Sequence, residues 1–472
     1  MPTLRRKQKE VSKKVVKTVV PTIPDKVEVS NTTTDSAKNK PGFFAKAKAA
    51  VALVNKPKPT TKADKKAVEE CLRQAQTGTN REAVVKLFDQ IMIYAHLCRA
   101  SDIHLEPWKE NGLARIRIDG ILHDEFQFDS AIYLQLIARL KILTKMRTDE
   151  HRAPQDGRFK FISPLGDVDV RASVIPTSFG EKAVLRLLSS QSHKLSLEQL
   201  GFDTEDLERV QRAVGKPWGM ILATGPTGSG KTTTVYAILE ILNKREVNIV
   251  TIEDPVEFEI VGVNQSQVDH VAKLTFASGL RSLLRQDPDV VMVGEIRDNE
   301  TAKIAVNAAM TGHKLLSTLH TNDAATTIPR LIDMGIEPFL VASTLLCIVA
   351  QRLVRRVCPN CVGKKDFSKK EALEIFGKEI VTGLFGSKDR IQVAAVKGCD
   401  QCAQTGYHGR IGIYEVMENS PAIQAMVVKR ASSAEIQEQA MKEGMTSISQ
   451  DGVRKILSFE TTVEELVRVM QE

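Results

Sequence analysis

The sequence of 472 residues has few aromatic residues and lacks an apolar run that could cross a bilayer. Phe, Trp and Tyr make up only 5% of the chain. The longest apolar run, from Pro338 to Ala350, is shorter than the ~18–20 residues that a transmembrane helix needs. The first residues, Met1 to Lys9, contain no apolar core of a signal peptide. We therefore expect a cytosolic protein without a secretory signal.

Positive charge is concentrated at one end of the chain. Residues 1–66 contain 17 Lys and Arg against 5 Asp and Glu, a surplus of +12. The whole chain carries +8, so the remainder carries −4 and offers no basic, aromatic-rich face for nucleic acid. We expect no direct contact with nucleic acid. The basic end has two interpretations: a solvated tether, or a segment that docks on anionic lipid or an acidic partner.

The length of the chain exceeds the usual size of one hydrophobic core, so we expect several domains. Apolar residues at three- and four-residue steps, followed by alternating segments such as Leu113–Ile118, indicate an α+β domain. From Gly219 strands alternate with helices, which indicates an α/β fold with a parallel sheet covered on both faces. The expected segments are a disordered basic tail at 1–66, the α+β domain at 67–190, a linker at 191–205, the α/β core at 206–350, a cysteine-bearing segment at 351–415 and a helical segment at 416–472.

One motif carries a specific chemical prediction, a G-x-x-x-x-G-K-[ST] loop between a predicted strand and a predicted helix. Its glycines allow backbone N–H groups to turn towards phosphate oxygens, and the helix N-terminus adds a partial positive charge. Lys231 would reach the β- and γ-phosphates of a nucleotide, and Thr232 would hold Mg²⁺. The expected nucleotide-binding residues are Gly225, Pro226, Thr227, Gly228, Ser229, Gly230, Lys231, Thr232 and Thr233.

Acidic residues follow two later predicted strands, at the edge where ligands bind in open α/β sheets. Asp254 and Glu257 follow one of these strands, and Glu295 follows the other. A carboxylate in this place can hold Mg²⁺ through water or deprotonate the attacking water. His313 and His320 lie at the two ends of a further strand, and His320 is a candidate sensor of the γ-phosphate or link to a neighbouring subunit. The alternatives are helix caps for the carboxylates and structural hydrogen bonds for the histidines.

The cysteines suggest a metal site. Seven cysteines in a chain expected to be cytosolic argue against a disulfide framework. Four of them form two C-x-x-C pairs, and thiolates from two such turns can close the tetrahedral site of a structural zinc ion. A redox dithiol is the alternative, although that motif belongs to thioredoxin-like βαβ settings. The expected zinc ligands are Cys358, Cys361, Cys399 and Cys402, whereas Cys71, Cys98 and Cys347 have no such spacing.

The order of these motifs resembles that of the secretion ATPases. After the P-loop, the segments Thr251–Phe258, Val293–Asp298 and Ser317–Asn322 are similar to the family's Asp box, Walker B and His box. The similarity covers about residues 67–472 and is greatest to the type II secretion and type IV pilus assembly ATPases. Further matching segments are Ala100–Pro107, Pro154–Arg158, Gly406–Arg410 and Gly412–Glu415.

This resemblance implies a P-loop, RecA-like ATPase domain preceded by a PAS-like α+β domain, with a zinc-binding insert and a helical C-terminus. It also implies a homohexamer at the cytoplasmic face of the inner membrane, which uses ATP, Mg²⁺ and Zn²⁺ to drive filament assembly through a polytopic platform protein. By this analogy Glu295 is the catalytic acidic residue, assisted by Asp254 and Glu257, with His320 nearby. The resemblance also implies that three arginines of the first domain reach phosphate across the interdomain cleft: Arg158, Arg171 and Arg186.

The sequence leaves two other functions open: a conjugation or DNA-uptake motor of the same superfamily, and a nucleotide-binding scaffold with little turnover. The four paired cysteines favour assembly or secretion over pilus retraction, because retraction ATPases of this kind usually lack them. Many relatives carry a folded N-terminal domain that docks a cytoplasmic partner, where this sequence has the basic stretch up to residue 66. We therefore expect its charge to provide recruitment, either to a cytoplasmic adaptor or to an acidic lipid surface.

Overall fold

The structure is a computed structural model that describes residues 62–77, 81–189, 195–376 and 378–471. Most of the predicted basic tail, residues 1–61, lies outside the described residues. Helix α1 (Lys62–Thr77) begins within the last five residues of that predicted tail. None of the described helices combines the length and the apolar character of a membrane span.

The first domain is a six-stranded antiparallel sheet with three helices. Its strand order is β3-β2-β1-β6-β5-β4. The predicted strand Leu113–Ile118 is confirmed as part of β2, whereas the helical pattern before β1 belongs to two helices, and β1 itself was not predicted as a strand. The elements after α1 are α2 (Arg81–Leu97), β1 (Ala100–Pro107), β2 (Asn111–Ile118), β3 (Ile121–Asp129), α3 (Ser130–Leu143), β4 (Gln155–Ser163), β5 (Gly166–Thr177) and β6 (Gly180–Ser189).

The two faces of this sheet differ in chemistry because side chains alternate along each strand. One face packs on the helices and contributes buried residues such as Ile103, Val170 and Leu185 to a core that includes Leu87 and Leu136. The opposite face carries the intervening polar residues. It is this polar face that contains the arginines predicted from the sequence.

The second domain is built on a seven-stranded sheet, in the order β15-β12-β7-β11-β10-β8-β9. All neighbouring pairs from β12 to β9 are parallel, and only β15 is antiparallel to its neighbour. The predicted α/β class and alternating elements are confirmed. The strands are β7 (Gly219–Thr224), β8 (Ile249–Glu253), β9 (Asn264–Gln267), β10 (Val290–Val293), β11 (Lys314–Leu319), β12 (Leu345–Val357) and β15 (Tyr407–Glu418).

Helices cover both faces of this sheet, as the sequence predicts. Met220 and Leu222 of β7 pack in one core and Ile221 and Ala223 in the other. This alternation explains the continuous apolar run of β7, because a strand covered on both faces buries every side chain. The helices up to β12 are α4 (Leu197–Leu200), α5 (Thr204–Gly215), α6 (Lys231–Leu242), α7 (Phe276–Leu283), α8 (Asn299–Met310), α9 (Thr327–Asp333) and α10 (Pro338–Thr344).

The cysteine-bearing segment is an excursion between two neighbouring strands of the main sheet. Strand β12 runs across the boundary expected at residue 350, and it pairs with both β7 and β15. Gln351, the first residue beyond that boundary, has a buried side chain that donates to the carbonyl of Ser229 at 2.6 Å. The excursion contains β13 (Val362–Ser368), α11 (Lys369–Ile375), α12 (Lys378–Phe385), β14 (Arg390–Val396) and a short 3₁₀-helix (Asp400–Cys402).

The C-terminal part is helical from Pro421, since β15 runs across the boundary expected at residue 416, and it packs against β12 and β15. The carboxylate of Glu465 accepts hydrogen bonds from the backbone N–H of Arg355 at 3.0 Å and from its guanidinium at 2.6 Å. Arg468 binds the same carboxylate, and these hydrogen bonds lower the pKa of Glu465 to about 2 despite its burial. The helices are α13 (Pro421–Val428), α14 (Ser433–Lys442), α15 (Ile448–Leu457) and α16 (Val463–Gln471).

The fold predicts a stabilising role for the hydroxyl of Tyr133, which joins α3 to two strands. The buried hydroxyl oxygen lies 3.0 Å from the carbonyl oxygen of Leu105 and 2.7 Å from that of Glu181. We expect Tyr133→Phe to lower the free energy of unfolding by about 1–3 kcal/mol, because buried carbonyls lose a donor. Leu134→Ala is the control on the same helix, since Leu134 is exposed. Urea denaturation of the full chain measures both, and equal losses would contradict the prediction.

Candidate nucleotide site and metal centre

The P-loop has the geometry of an anion-binding turn. It connects the end of β7 to the start of α6, and Gly225, Gly228 and Gly230 have φ values of 144°, 81° and 90°. A Cβ on Gly225 would lie 2.5 Å from the carbonyl oxygen of Gln351. No side chain caps α6, so its first backbone N–H groups are available to a phosphate.

Lys231 is folded back on the loop. Its Nζ donates to the carbonyls of Gly225 at 2.9 Å and Pro226 at 3.0 Å. Burial lowers the pKa of Lys231 to about 8, although the nearby Glu295 opposes this shift. The buried hydroxyl of Ser229 has no hydrogen-bond partner among the described residues. The unpaired hydroxyl of Ser229, the ammonium of Lys231 and the uncapped N-terminus of α6 fit the phosphates of a nucleotide.

The second predicted acidic position lies beside this loop. Glu295 follows β10, and its side chain is only 14% exposed. One carboxylate oxygen is 2.5 Å from the guanidinium of Arg297, and the other is 3.4 Å from Nε2 of His320. The structure therefore brings Glu295 and His320 together, as a water-activating group requires. His313 lies at the other end of β11, where its Nδ1 is 3.0 Å from the carbonyl oxygen of Ala308.

The acids after β8 are in different environments. Asp254 is exposed, whereas Glu257 is half-buried and lies 3.6 Å from the guanidinium of Arg171. The sequence analysis missed Glu253, which is 2% exposed and accepts hydrogen bonds from the hydroxyls of Tyr236 and Thr251. The signal that could have found it is a carboxylate at the end of a mostly apolar strand, since a buried charge needs dedicated partners.

The three arginines predicted from the sequence form a row across the polar face of the first domain. Arg158 on β4 is directly opposite Arg171 on β5, which is opposite Arg186 on β6. We call these three residues the arginine row. Arg171 also donates to the carbonyl of Val256 at 2.5 Å, in the loop after β8 of the second domain. Arg171 therefore contacts the acidic loop of the second domain, and Arg158 and Arg186 flank it on the same face of the sheet.

The four paired cysteines converge on one point. Their sulfur atoms lie within 4.8 Å of one another. The Sγ–Sγ distances are 3.8 Å for Cys358–Cys399, 3.8 Å for Cys361–Cys402 and 3.7 Å for Cys399–Cys402. A regular tetrahedron with metal–sulfur bonds of about 2.3 Å has edges of about 3.8 Å. The sulfur positions thus fit a tetrahedral metal ion with four thiolate ligands.

The loop that carries the second pair is shaped by its backbone. A Cβ on Gly398 (φ 87°) would lie 2.6 Å from the carbonyl oxygen of Gln404, so glycine is required there. Backbone N–H groups of Cys399 and Gly406 both approach the sulfur of Cys402 at 3.2 Å. N–H groups directed at a sulfur stabilise its thiolate form, which is the form that binds metal.

Comparison with known proteins matches most of the chain to one family. The family model described as "Type II/IV secretion system protein" matches residues 77–468. The chain is 44% identical over 409 residues to the type IV pilus assembly ATPase PilB of Myxococcus xanthus, covering 86% of this chain and 70% of that protein. It is 44% identical over 389 residues to type II secretion system protein E of Aeromonas hydrophila, covering 82% and 76%.

A solved structure supports the fold. The X-ray structure of the ATPase DotB of Legionella pneumophila is similar with a TM-score of 0.59 and 19% sequence identity. The similarity covers 81% of this chain and 95% of that one. It therefore extends over both domains described above.

The environment of Lys231 predicts pH-dependent nucleotide binding. Above about pH 8 the ammonium loses its proton in the free protein, so its attraction to phosphate is lost. We expect the affinity for ATP to fall by up to about tenfold per pH unit above this value. Titrations with a fluorescent ATP analogue from pH 7 to 9.5 measure the effect. Lys231→Gln should bind weakly without this slope, and an equal slope in both proteins would contradict the assignment.

Proposed function

Because the chain belongs to the type II/IV secretion system protein family, we propose that it is a Mg²⁺-dependent ATPase whose output is mechanical work in filament assembly or protein secretion. The observation that carries this proposal is the geometry of the P-loop, with Glu295 near the buried ammonium of Lys231. Water is the expected nucleophile. The two relatives named above, one a pilus assembly ATPase and one a secretion system protein, are each 44% identical to this chain, so the proposal includes both systems.

The residues of the cleft have distinct proposed roles. Lys231 exchanges its two carbonyl partners for phosphate oxygens, and the P-loop N–H groups hold the remaining phosphate charge. The hydroxyl of Thr232 would hold Mg²⁺, which would supply positive charge against the charge that develops on the phosphates. Glu295 accepts the proton of the attacking water, while Arg297 and His320 hold its carboxylate in place. Asp254 and Glu257 assist from the acidic loop.

The arginine row gives this chemistry a mechanical consequence. A guanidinium from another domain stabilises the phosphoryl-transfer transition state only when the two domains approach each other. Closure of the cleft then depends on the nucleotide, because the γ-phosphate supplies the countercharge for the row. We propose that the first domain is PAS-like and acts as the moving part, in a homohexamer that displaces a polytopic platform protein.

The proposed location is the cytoplasmic face of the inner membrane, where such a platform protein is accessible. The basic stretch at residues 1–66 carries a surplus of +12 and is suited to an anionic lipid surface or an acidic adaptor. The rest of the chain carries −4. Its attachment is therefore proposed to depend on the tail rather than on a charged face of the folded domains.

We propose that the cysteine cluster holds Zn²⁺ in a structural role. Four thiolates at the corners of a tetrahedron are the ligand set that zinc prefers in closed sites. Such an ion would join the two ends of the excursion between β12 and β15. It is thus expected to stabilise this excursion without taking part in hydrolysis.

The ATPase proposal predicts hydrolysis that requires assembly. Specific activity should rise with protein concentration as rings form, and Lys231→Ala and Glu295→Gln should each lower kcat by at least about 100-fold. Glu240→Gln is the control, since Glu240 is exposed near the far end of α6. Phosphate release measures all four proteins.

A wild type that is inactive at every concentration, even with the cytoplasmic part of the platform protein added, would indicate a nucleotide-binding scaffold. Equal activity of wild type and Lys231→Ala would also contradict the ATPase proposal.

The zinc proposal predicts one metal ion per chain in the purified protein. Cys361→Ser and Cys399→Ser should lose the metal and have a lower Tm, because the excursion loses its cross-link. Cys71→Ser is the matched control, since Cys71 lies outside the cluster. Mass spectrometry of the bound metal measures the stoichiometry. Full metal content in Cys399→Ser would overturn the proposal.

A further inference from the structure

Arg186 of the arginine row is held by a carboxylate on the neighbouring strand. Asp102 of β1 is directly opposite Arg186 of β6, and its Oδ1 accepts a hydrogen bond from Nε of Arg186 at 3.0 Å. The side chain of Asp102 is 9% exposed, whereas that of Arg186 is 62% exposed. The Nε–H group of Arg186 is therefore hydrogen-bonded to a residue of the sheet, while most of the Arg186 side chain remains exposed to solvent.

The carboxylate of Asp102 is itself fixed. The hydroxyl of Ser101 donates to Oδ2 at 2.8 Å, and Nε of Arg117 lies 3.6 Å from the same oxygen. Arg117 is directly opposite Asp102 on β2, so the carboxylate lies between two cations. These contacts restrict the rotation of the carboxyl group and give its other oxygen a defined direction.

The contact at Nε matters for what Arg186 can bind. A guanidinium that donates Nε–H to one carboxylate keeps its terminal N–H groups for a second anion, and these groups match phosphate oxygens. None of the described residues accepts a hydrogen bond from the terminal N–H groups of Arg186. Arg171 differs, because its terminal nitrogens already contact Val256 and Glu257.

The neighbours of Arg186 explain why an anchor is needed. Cβ atoms of directly opposite residues in antiparallel strands are about 4.5–5.5 Å apart, so Arg171 and Arg186 repel each other. Without a countercharge on its other side, Arg186 would turn away from the row. Asp102 supplies that charge from β1.

We infer that Asp102 is a positioning residue for hydrolysis. It holds Arg186 by Nε so that the terminal N–H groups meet the γ-phosphate when the cleft closes. The inference rests on the proposed ATPase function and deepens it. A purely structural Asp102 would instead stabilise the sheet equally in the presence and absence of Arg186.

A double-mutant cycle in the full-length protein separates these alternatives. The variants are Asp102→Asn, Arg186→Ala and the two combined, with kcat and KM for ATP and the Tm measured for each. Arg186→Ala should lower kcat by about 100-fold. Asp102→Asn should lower kcat by about tenfold with KM within about twofold, because Arg186 is present but poorly oriented in the transition state.

The combined variant decides the inference. If Asp102 acts through Arg186, adding Asp102→Asn to Arg186→Ala should change kcat by less than about twofold. Additive losses, or an Asp102→Asn variant as active as the wild type, would overturn the inference. A wild type without ATP hydrolysis would overturn the proposed function, and this inference with it.

Two further variants test whether misfolding accounts for a loss of activity in Asp102→Asn. Glu106→Gln is the matched control on the same face of β1, since Glu106 pairs with Lys182 at 2.9 Å and Arg115 at 3.6 Å. It should keep kcat within about twofold of the wild type. Ser101→Ala removes only the hydroxyl that orients Asp102 and should lower kcat by about two- to threefold. An unchanged kcat in Ser101→Ala, together with a misfolded Asp102→Asn, would also overturn the inference.

Discussion

The contact between Arg171 and the loop after β8 is the constraint on which the nucleotide site depends. This arginine belongs to the sheet of the first domain, yet it donates to the carbonyl of Val256 and lies beside Glu257 in the second domain. The contact joins the sheet of the first domain to the acidic loop of the second. The rest of the arginine row follows from strand register, because Arg158 and Arg186 flank Arg171 on the neighbouring strands.

The charges on the two sides of the cleft are only partly compensated within the protein. Lys231 is buried against backbone carbonyls, and burial lowers its pKa to about 8. Glu295 is already paired with Arg297, and Asp102 with Arg186. In the proposed mechanism, Lys231 and the arginine row meet at the cleft between the domains, where a polyphosphate would supply the missing negative charge. This arrangement links nucleotide binding to the approach of the domains by simple electrostatics.

Local patterns in the sequence predict the chemistry of each segment better than its position in space. The P-loop glycines and the cysteines of each C-x-x-C pair lie only a few residues apart, which explains why the sequence predicts that they lie close together in space. Strand β1 escaped prediction because its polar residues Asp102, His104 and Glu106 belong to a sheet face that is itself charged. The alignment of the arginine row depends on the register between β4, β5 and β6, and single-sequence patterns do not specify that register. The boundary expected at residue 350 is wrong because the packing of β12 against the P-loop is a long-range contact, which a local sequence pattern does not reveal.

The central claim is that the arginine row recognises the terminal phosphate of a nucleotide held by the P-loop. The most direct test is the affinity of Arg186→Ala for a non-hydrolysable ATP analogue and for ADP, compared with the wild type by calorimetry. The account predicts that the analogue binds at least about tenfold more weakly to the variant while ADP binding is unchanged, because only the analogue carries the phosphate that the row contacts. Equal affinity for the analogue in both proteins, or an equal loss for both ligands, would contradict it.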